Sequence, residues 1–114
     1  AKLQDSLLIT GFPYDIATNP DNNMEAFAKA YKASQGVRRN GSAALDLCYV
    51  ASGRVEAFWE KYLKPWDLAA GSLIVEEAGG KITDCSGNFF QIKADEILAS
   101  NGLVHDELLG IILD

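Results

Sequence analysis

Residues 65–80 read PWDLAAGSLIVEEAGG and mark out one helix with a clear start and a clear end. Proline suits the first position of a helix because its missing N–H would have no partner there in any case. The glycines that follow Ala78 end the helix, since glycine accepts the left-handed conformation found at helix C-termini. The apolar run at residues 68–75 predicts that most of this helix is buried, so the chain must fold around it.

Asp67 places a carboxylate in the first turn of this helix. Such a carboxylate can cap its own helix, where interaction with the helix dipole is worth about 0.3–1 kcal/mol. It can equally hold a cation in a cleft. The aromatic Trp66 before it and the small residues Ala69, Ala70 and Gly71 after it are unusual for a plain surface helix, because small residues let a ligand or another backbone approach closely. Both interpretations remain open on position alone.

The Trp-Asp pair, the small residues and the Glu-Ala-Gly-Gly ending resemble the C-terminal signature of the inositol monophosphatase family. A second segment at residues 38–60, RRNGSAALDLCYVASGRVEAFWE, resembles the bacterial form of the same family. The two segments occur in the family's order and at its spacing, and the resemblance runs from about Leu7 to the end of the chain. It implies a Mg²⁺-dependent, lithium-sensitive hydrolase, a phosphatase of inositol and sugar phosphates.

Members of that family are much longer than these 114 residues. The resemblance therefore implies that residues 1–114 form a single domain, the C-terminal half of the layered α/β/α/β/α sugar-phosphatase fold. It also implies that the N-terminal metal-binding domain is absent from this chain, since the family's Asp-Pro-x-Asp-Gly-Thr motif occurs nowhere in it. The nearest approach is Asn19-Pro20-Asp21, which instead predicts a helix start with Asn19 as the cap and Pro20 at the first position.

The resemblance also implies roles for particular residues. It makes Asp67 catalytic, as a ligand of a second Mg²⁺ ion that also contacts the sugar hydroxyl next to the ester. It implies substrate contacts at Gly41, Ser42 and Ala43, and a contact between Glu60 and the hydroxyls of the inositol ring. From the residues alone, Ser42 is equally an ordinary helix N-cap, and for Glu60 a solvated surface carboxylate is the commoner case.

Three cationic residues keep open roles. Arg38 and Arg39 can bind a phosphate bidentately, or they can pair with Asp46 or Glu76. Lys64 lies where some relatives carry histidine, which indicates only a weak electrostatic role.

The reaction implied by the resemblance is hydrolysis of a phosphate monoester, assisted by two or three Mg²⁺ ions that neutralise the phosphoryl oxygens. One ion, held mainly by the N-terminal half, would activate water, and a second would stabilise the leaving alkoxide. Fructose-1,6-bisphosphate and nucleotide 3′-phosphates are alternative substrates of the same fold, and a role through protein contacts alone is a further alternative. The expected partners are an inositol or sugar phosphate, the N-terminal half, and a second copy in a homodimer.

Composition argues against nucleic-acid binding and against a membrane span. The net charge of −6 argues against nucleic-acid binding through a basic surface. No run reaches the ~18 apolar residues that a membrane span needs. Cys48 and Cys85 are far apart and lack nearby histidine or cysteine partners, which is typical of free thiols in a cytoplasmic protein. His105, the one histidine, is expected on the surface of a helix.

Hydrophobic periodicity predicts an α/β domain, a mixed β-sheet flanked by helices. The expected strands are Leu7–Thr10, 37–39, 54–60, Lys81–Thr83 and 97–99, and the expected helices are 21–34, 41–52, the segment begun by Pro65, and 105–113. In the first helix the buried face is expected to consist of Met24, Phe27, Ala28 and Tyr31. The second helix, apolar nearly all round, is expected to be buried. In the third strand one face is expected to consist of Val55, Ala57 and Trp59.

Overall fold

Five short strands pair into one mixed sheet in the computed structural model, which describes residues 2–113. The strands are β1 (Leu7–Thr10), β2 (Gly36–Arg38), β3 (Ala57–Glu60), β4 (Lys81–Thr83) and β5 (Ile97–Ser100). Their order is β2-β1-β3-β5-β4, with β1 parallel to β2 and β3, and with β5 antiparallel to β3 and β4. The predicted mixed sheet is confirmed.

Four helices cover the two faces of this sheet: α1 (Met24–Ala33), α2 (Ala43–Ala51), α3 (Pro65–Glu77) and α4 (His105–Ile112). Because successive strand residues point to opposite faces, neighbouring residues enter different cores. Ile9 and Phe58 pack with α2 and α3, while Leu8 and Trp59 pack on the side of α1 and α4. Two single-turn 3₁₀ helices, Leu3–Asp5 and Ile92–Ala94, complete the described chain.

Three strand-to-helix connections lie at one edge of the sheet. β1, β2 and β3 run in the same direction, and each is followed by a helix, so their carboxyl ends and the N-termini of α1, α2 and α3 lie toward the same edge. In α/β sheets this edge is where ligands bind. Thr10 pairs with Trp59 there, and Glu60 ends β3.

The first helix begins later than the sequence predicts. Asn19 accepts a hydrogen bond from the N–H of Asp21 at 2.9 Å, which makes a turn and not a helix cap, and α1 starts only at Met24. The predicted buried face is also wrong, because Met24 and Tyr31 are exposed. The small side chains of α1 face the sheet instead, with Ala30 fully buried.

The third strand is shorter than predicted. It begins at Ala57, after a turn that leaves α2 at Ala51. Ala57 and Trp59 share a face as expected, but Val55 packs in the opposite core with Phe58. The alternation fails at Val55 because that residue precedes the strand.

The predicted burial of α2 and α3 holds for one side of each helix only. In α3 the inward stripe is Leu68, Gly71, Ser72 and Val75, at the helical spacing expected of one buried face. The apolar side chains outside that stripe are exposed: Trp66, Leu73 and Ile74 on α3, and Leu45 on α2.

The expectation that His105 lies on a helix surface is also wrong. His105 is the first residue of α4 and is 1% exposed. Its ring nitrogens lie 2.8 Å from Ser100 Oγ and 2.9 Å from Thr83 Oγ1. A polar side chain in the first turn of a helix is usually solvated, but here the two hydroxyls of β4 and β5 satisfy it internally.

Cys48 and Cys85 are free thiols, half-buried and buried respectively. Among residues 2–113, no helix has the length and apolar character required to cross a membrane.

Candidate functional site

Glu60 is the point at which three elements meet. It ends β3 and is half-buried, and Asp46 from the first turn of α2 and Asp67 from the first turn of α3 both act on it electrostatically. Burial, followed by the negative charges of Asp46 and Asp67, raises the pKa of Glu60 to about 7, against an opposing effect of Arg39. The structure therefore brings two of the expected site residues, Glu60 and Asp67, into one electrostatic cluster.

The carboxyl group of Glu60 lies directly against the backbone of Gly11, the residue that follows β1. A Cβ atom on Gly11 would lie 2.7 Å or less from Cδ, Oε1 and Oε2 of Glu60, closer than any real contact allows. Gly11 is buried, so the space that its missing side chain leaves is occupied by the carboxylate. The loop after β1 thus fixes where Glu60 can sit.

Asp67 serves as a helix cap. Its Oδ2 accepts a hydrogen bond from the Lys64 N–H at 3.1 Å, while its own N–H donates to the Lys64 carbonyl at 2.9 Å. The side chain is only half-buried. Because the cap uses Oδ2, it is compatible with a second partner at Oδ1, and the two interpretations of Asp67 do not exclude each other. The Lys64 side chain is exposed, and its part in the cap comes from its backbone.

The segment that precedes α2 offers backbone donors. Ser42 is the N-cap of α2, with its Oγ 3.4 Å from the Leu45 N–H. Gly41 has a φ of 86°, a conformation that favours glycine. Ala43 is 8% exposed, and its side chain packs in the core. Free N–H groups at a helix N-terminus are suited to anions and hydroxyls.

Asp46 is a site residue that the sequence analysis did not select. It is 1% exposed, and Asn40 Nδ2 donates to its Oδ1 at 3.3 Å. The pKa of Asp46 is raised, because the effect of burial outweighs the opposing effect of the hydrogen bond from Asn40. The available signal was a carboxylate one turn into an otherwise apolar helix, beside the sequence Gly41-Ser42.

The two arginines have different surroundings. Arg39 stacks its guanidinium over the Phe12 ring, 5.3 Å from the centroid, and its charge acts on Glu60. Arg38 ends β2 and is exposed. Within residues 2–113 neither arginine forms an ion pair with Asp46 or Glu76.

A separate cavity of about 360 Å³ opens near the same edge, on the side of α1. Two of its charged lining residues form an ion pair, since Lys61 Nζ lies 3.3 Å from Asp21 Oδ2, and the Tyr62 hydroxyl donates to the same oxygen at 3.0 Å. The third charged lining residue, Glu25, pairs with Lys29 at 3.4 Å. Glu60 and Asp67 do not line this cavity. The candidate site is therefore the cluster around Glu60 and not this cavity.

Metal ligands are sparse in the described chain. Residues 2–113 contain no group of three or more histidine, cysteine, aspartate or glutamate side chains placed to hold a metal ion together. A metal ion at Asp67 would need further ligands from elsewhere.

Comparison with known proteins identifies the fold and its relatives. The profile of the inositol monophosphatase family matches residues 1–113. The chain is 50% identical to the Arabidopsis thaliana protein named Phosphatase IMPL1, chloroplastic, over 94% of this chain and 29% of the relative. It is 43% identical to the Nus factor SuhB of Pseudomonas aeruginosa, over 96% of this chain and 41% of the relative.

A solved structure shows the same architecture. The inositol monophosphatase from Anabaena (Nostoc) sp. superposes with a TM-score of 0.94 at 48% identity, over 98% of this chain and 46% of that chain. This chain spans less than half the length of each of these three proteins. The profile match and the structural agreement lead to one conclusion: the chain belongs to the inositol monophosphatase family.

Proposed function

We propose that this chain forms part of a Mg²⁺-dependent phosphatase that hydrolyses a phosphate monoester of inositol or of a related sugar. The observation that carries the proposal is the meeting of Glu60, Asp67 and the N-terminus of α2 at the carboxyl edge of the parallel strands. That arrangement combines an anionic ligand for a cation with groups that recognise hydroxyls. Fructose-1,6-bisphosphate and nucleotide 3′-phosphates remain alternative substrates.

Asp67 is the residue we assign to the metal. A carboxylate oxygen is the ligand that Mg²⁺ prefers, and Asp67 is the half-buried carboxylate at the start of α3. The positive end of a helix dipole disfavours a bare cation, so the negative charge of Asp67 is needed there. Bound Mg²⁺, two or three ions in the complete enzyme, would supply charge neutralisation on the phosphoryl oxygens.

Recognition of the sugar falls to the other residues. Glu60, with a pKa near 7, can both accept hydrogen bonds from ring hydroxyls and donate to them. Gly41, Ser42 and Ala43 contribute backbone N–H groups at the start of α2, and the Ser42 hydroxyl is exposed beside them. These donors and acceptors orient the substrate and leave the phosphoryl group to the metal.

The remaining metal ligands are proposed to come from an N-terminal half that this chain lacks. Two observations support this partner: the chain spans less than half the length of its relatives, and residues 2–113 hold no metal-binding cluster of their own. The exposed apolar side chains Trp66, Leu73 and Ile74 give that half a surface to cover. A homodimer of the complete protein is proposed with it.

A second candidate function is that of a Nus factor, exercised through protein contacts and not through turnover. It is favoured by the name of the 43% identical relative from Pseudomonas aeruginosa. Under this alternative, the carboxylates of the site would be dispensable.

Substitution of Asp67 tests the proposal. In the full-length protein that carries this chain, Asp67→Asn should lower hydrolysis of inositol monophosphate by orders of magnitude and weaken the activation by Mg²⁺. The melting temperature should change little, because the side-chain oxygen of asparagine still accepts the hydrogen bond from the Lys64 N–H.

The matched control is Asp106→Asn, which makes the same change in the first turn of α4, at an exposed residue. Its turnover should be normal. Normal turnover in Asp67→Asn would contradict the assignment of the metal ligand. A wild-type protein with no Mg²⁺-dependent hydrolysis would favour the Nus-factor alternative.

A further inference from the structure

Asn23 adopts a backbone conformation that few residues tolerate, and both polar atoms of its side chain form hydrogen bonds. It immediately precedes α1, with φ 72° and ψ −1°, in the left-handed region. Its Nδ2 donates to Thr10 Oγ1 and to the Gly11 carbonyl, both at 2.8 Å, and its Oδ1 accepts from the Trp59 indole N–H, also at 2.8 Å. The amide therefore makes three hydrogen bonds to two different strand ends.

Two of those partners lie next to Glu60, Trp59 along the backbone and Gly11 against its carboxyl group. Thr10 ends β1, Gly11 follows it, and Trp59 immediately precedes Glu60 on β3. Thr10 Oγ1 in turn donates to the Trp59 carbonyl at 2.7 Å, so the two strand ends are tied by a closed set of bonds. Since the Glu60 carboxyl group lies against the Cα of Gly11, a shift of the Gly11 backbone would move Glu60.

Helix capping does not account for this side chain. Asn23 occupies the N-cap position of α1, yet its side chain accepts no hydrogen bond from the N–H groups of that helix. Its only side-chain acceptor, Oδ1, is directed to the indole of Trp59, 36 residues away in the chain. The residue type is nevertheless demanding, because the position needs two donors, one acceptor and tolerance of positive φ.

We infer that Asn23 is a positioning residue that holds Gly11 against Glu60 and so sets how well the site selects phosphates that carry ring hydroxyls. The inference rests on the proposed function, in which Glu60 binds those hydroxyls. The side-chain hydrogen bonds of Asn23 go to Thr10, Gly11 and Trp59, and none goes to Asp67, the residue assigned to the metal. The loss of Asn23 should therefore affect substrate choice more than the chemical step.

The test compares two substrates in the full-length protein. Asn23→Asp keeps the size of the side chain and its tolerance of positive φ, but it removes both donors and sets a carboxylate against the Gly11 carbonyl. We expect kcat/KM for inositol monophosphate to fall about tenfold or more, mainly through KM. For p-nitrophenyl phosphate, which has no ring hydroxyls, it should stay within about twofold.

A second variant keeps the inference testable if Asn23→Asp does not fold. Trp59→Phe removes the indole N–H and keeps an aromatic ring in the core, so the same selectivity shift should appear at smaller size. The smaller ring also lowers stability, but a loss of packing alone would affect the two substrates alike. The control is Gly110→Ala on α4, where an added Cβ meets nothing within 4 Å. It should leave kcat/KM unchanged for both substrates.

Glu60→Gln separates the two possible failures. If Glu60→Gln leaves the preference between the substrates unchanged, the proposed role of Glu60 fails. Suppose that Glu60→Gln shifts the preference, but that folded Asn23→Asp and Trp59→Phe lower kcat/KM equally for both substrates. Asn23 then has a purely structural role, and the inference is overturned. Support requires that the effects of Asn23→Asp and Glu60→Gln be less than additive when combined.

Discussion

His105 illustrates how one buried residue can couple folding to pH. The Thr83 hydroxyl donates to the Asp84 carbonyl at 2.8 Å, so it must accept the hydrogen bond from His105 Nε2–H. Nδ1 is then the acceptor for the Ser100 hydroxyl, which itself accepts the Gly102 N–H at 2.9 Å. The network fixes the neutral Nε2–H tautomer, because protonation of Nδ1 would leave the Ser100 hydroxyl without its acceptor.

We predict that this histidine destabilises the fold in mild acid. Burial, with the charge of Lys81, lowers the pKa of His105 to about 4, against an opposing effect of Asp106. The unfolded chain binds the proton near pH 6.5, so stability is full above that pH and is lost as the pH falls toward 4. The loss amounts to at most roughly 3 kcal/mol.

Urea unfolding of the wild type and of His105→Gln between pH 4 and 8 measures this effect. The free energy of unfolding of the wild type should fall more steeply below pH 6.5 than that of the variant. The raised pKa of Glu60 has the opposite effect, because the stability that it contributes is lost as the pH rises from 4.5 to about 7. This contribution is the same in the wild type and in the variant, so it cancels when their free energies of unfolding are subtracted. Parallel pH profiles would show that His105 is not the responsible group.

At the residue scale, Asp67 and Glu60 could be selected as candidates because they lie inside short motifs, and the structure brings them into one electrostatic cluster; their roles stay predictions. It could not indicate Asn23 or His105, whose partners are brought to them by folding. Asn23 Oδ1 accepts a hydrogen bond from Trp59, which lies 36 positions later in the chain. His105 forms a hydrogen bond with Thr83 on β4, 22 positions earlier. Local sequence patterns carry no record of contacts at such separations.

At the scale of elements, the packing of α2 on α3 depends on one glycine. Gly71 lies in the buried stripe of α3, where a mid-helix glycine costs about 0.5–1 kcal/mol relative to alanine. The close approach of Leu47 explains why it is there: a Cβ on Gly71 would lie 2.5 Å from Leu47 Cδ1 and 2.8 Å from Leu47 Cβ. The second of these atoms belongs to the stem of the side chain and cannot swing away without moving α2.

We therefore predict that Gly71→Ala destabilises the protein by about 1–3 kcal/mol, despite its better helix propensity. The same substitution at Gly110 on α4, which meets nothing within 4 Å, should be neutral or stabilising by up to about 1 kcal/mol. Chemical denaturation of the two variants makes the comparison. Equal effects would mean that Leu47 can move aside and that the contact between the helices is loose.

Some element boundaries could be predicted from a proline or glycine that fixes the backbone. The start of α3 at Pro65 is correct for this reason, and the predicted strands Leu7–Thr10 and Lys81–Thr83 have the observed bounds. The predicted start of α1 is wrong because Asn19, Pro20 and Asp21 form a turn, and the helix begins only at Met24. The buried face of α1 is wrong because alanines, not its largest apolar residues, allow close packing on the sheet.

At the scale of the whole molecule, the described residues supply one proposed metal ligand and expose apolar side chains on one helix. Asp67 is the one residue assigned to a metal, and residues 2–113 contain no cluster that would complete its coordination. The outer side of α3 exposes Trp66 at 74%, Leu73 at 59% and Ile74 at 44%. Apolar surface of this kind, contiguous along one helix, promotes association with another protein surface.

We predict that the 114-residue chain alone has no detectable phosphatase activity at any Mg²⁺ concentration and that it self-associates. Hydrolysis of inositol monophosphate across a Mg²⁺ titration, with light scattering after size exclusion, measures both properties. Leu73→Gln should reduce the association, because it removes apolar area from the outer side of α3, whereas Tyr14→Gln, at a more exposed residue outside α3, should not. Metal-dependent turnover by a clean monomer would contradict the prediction, since it would require a complete metal site within these residues.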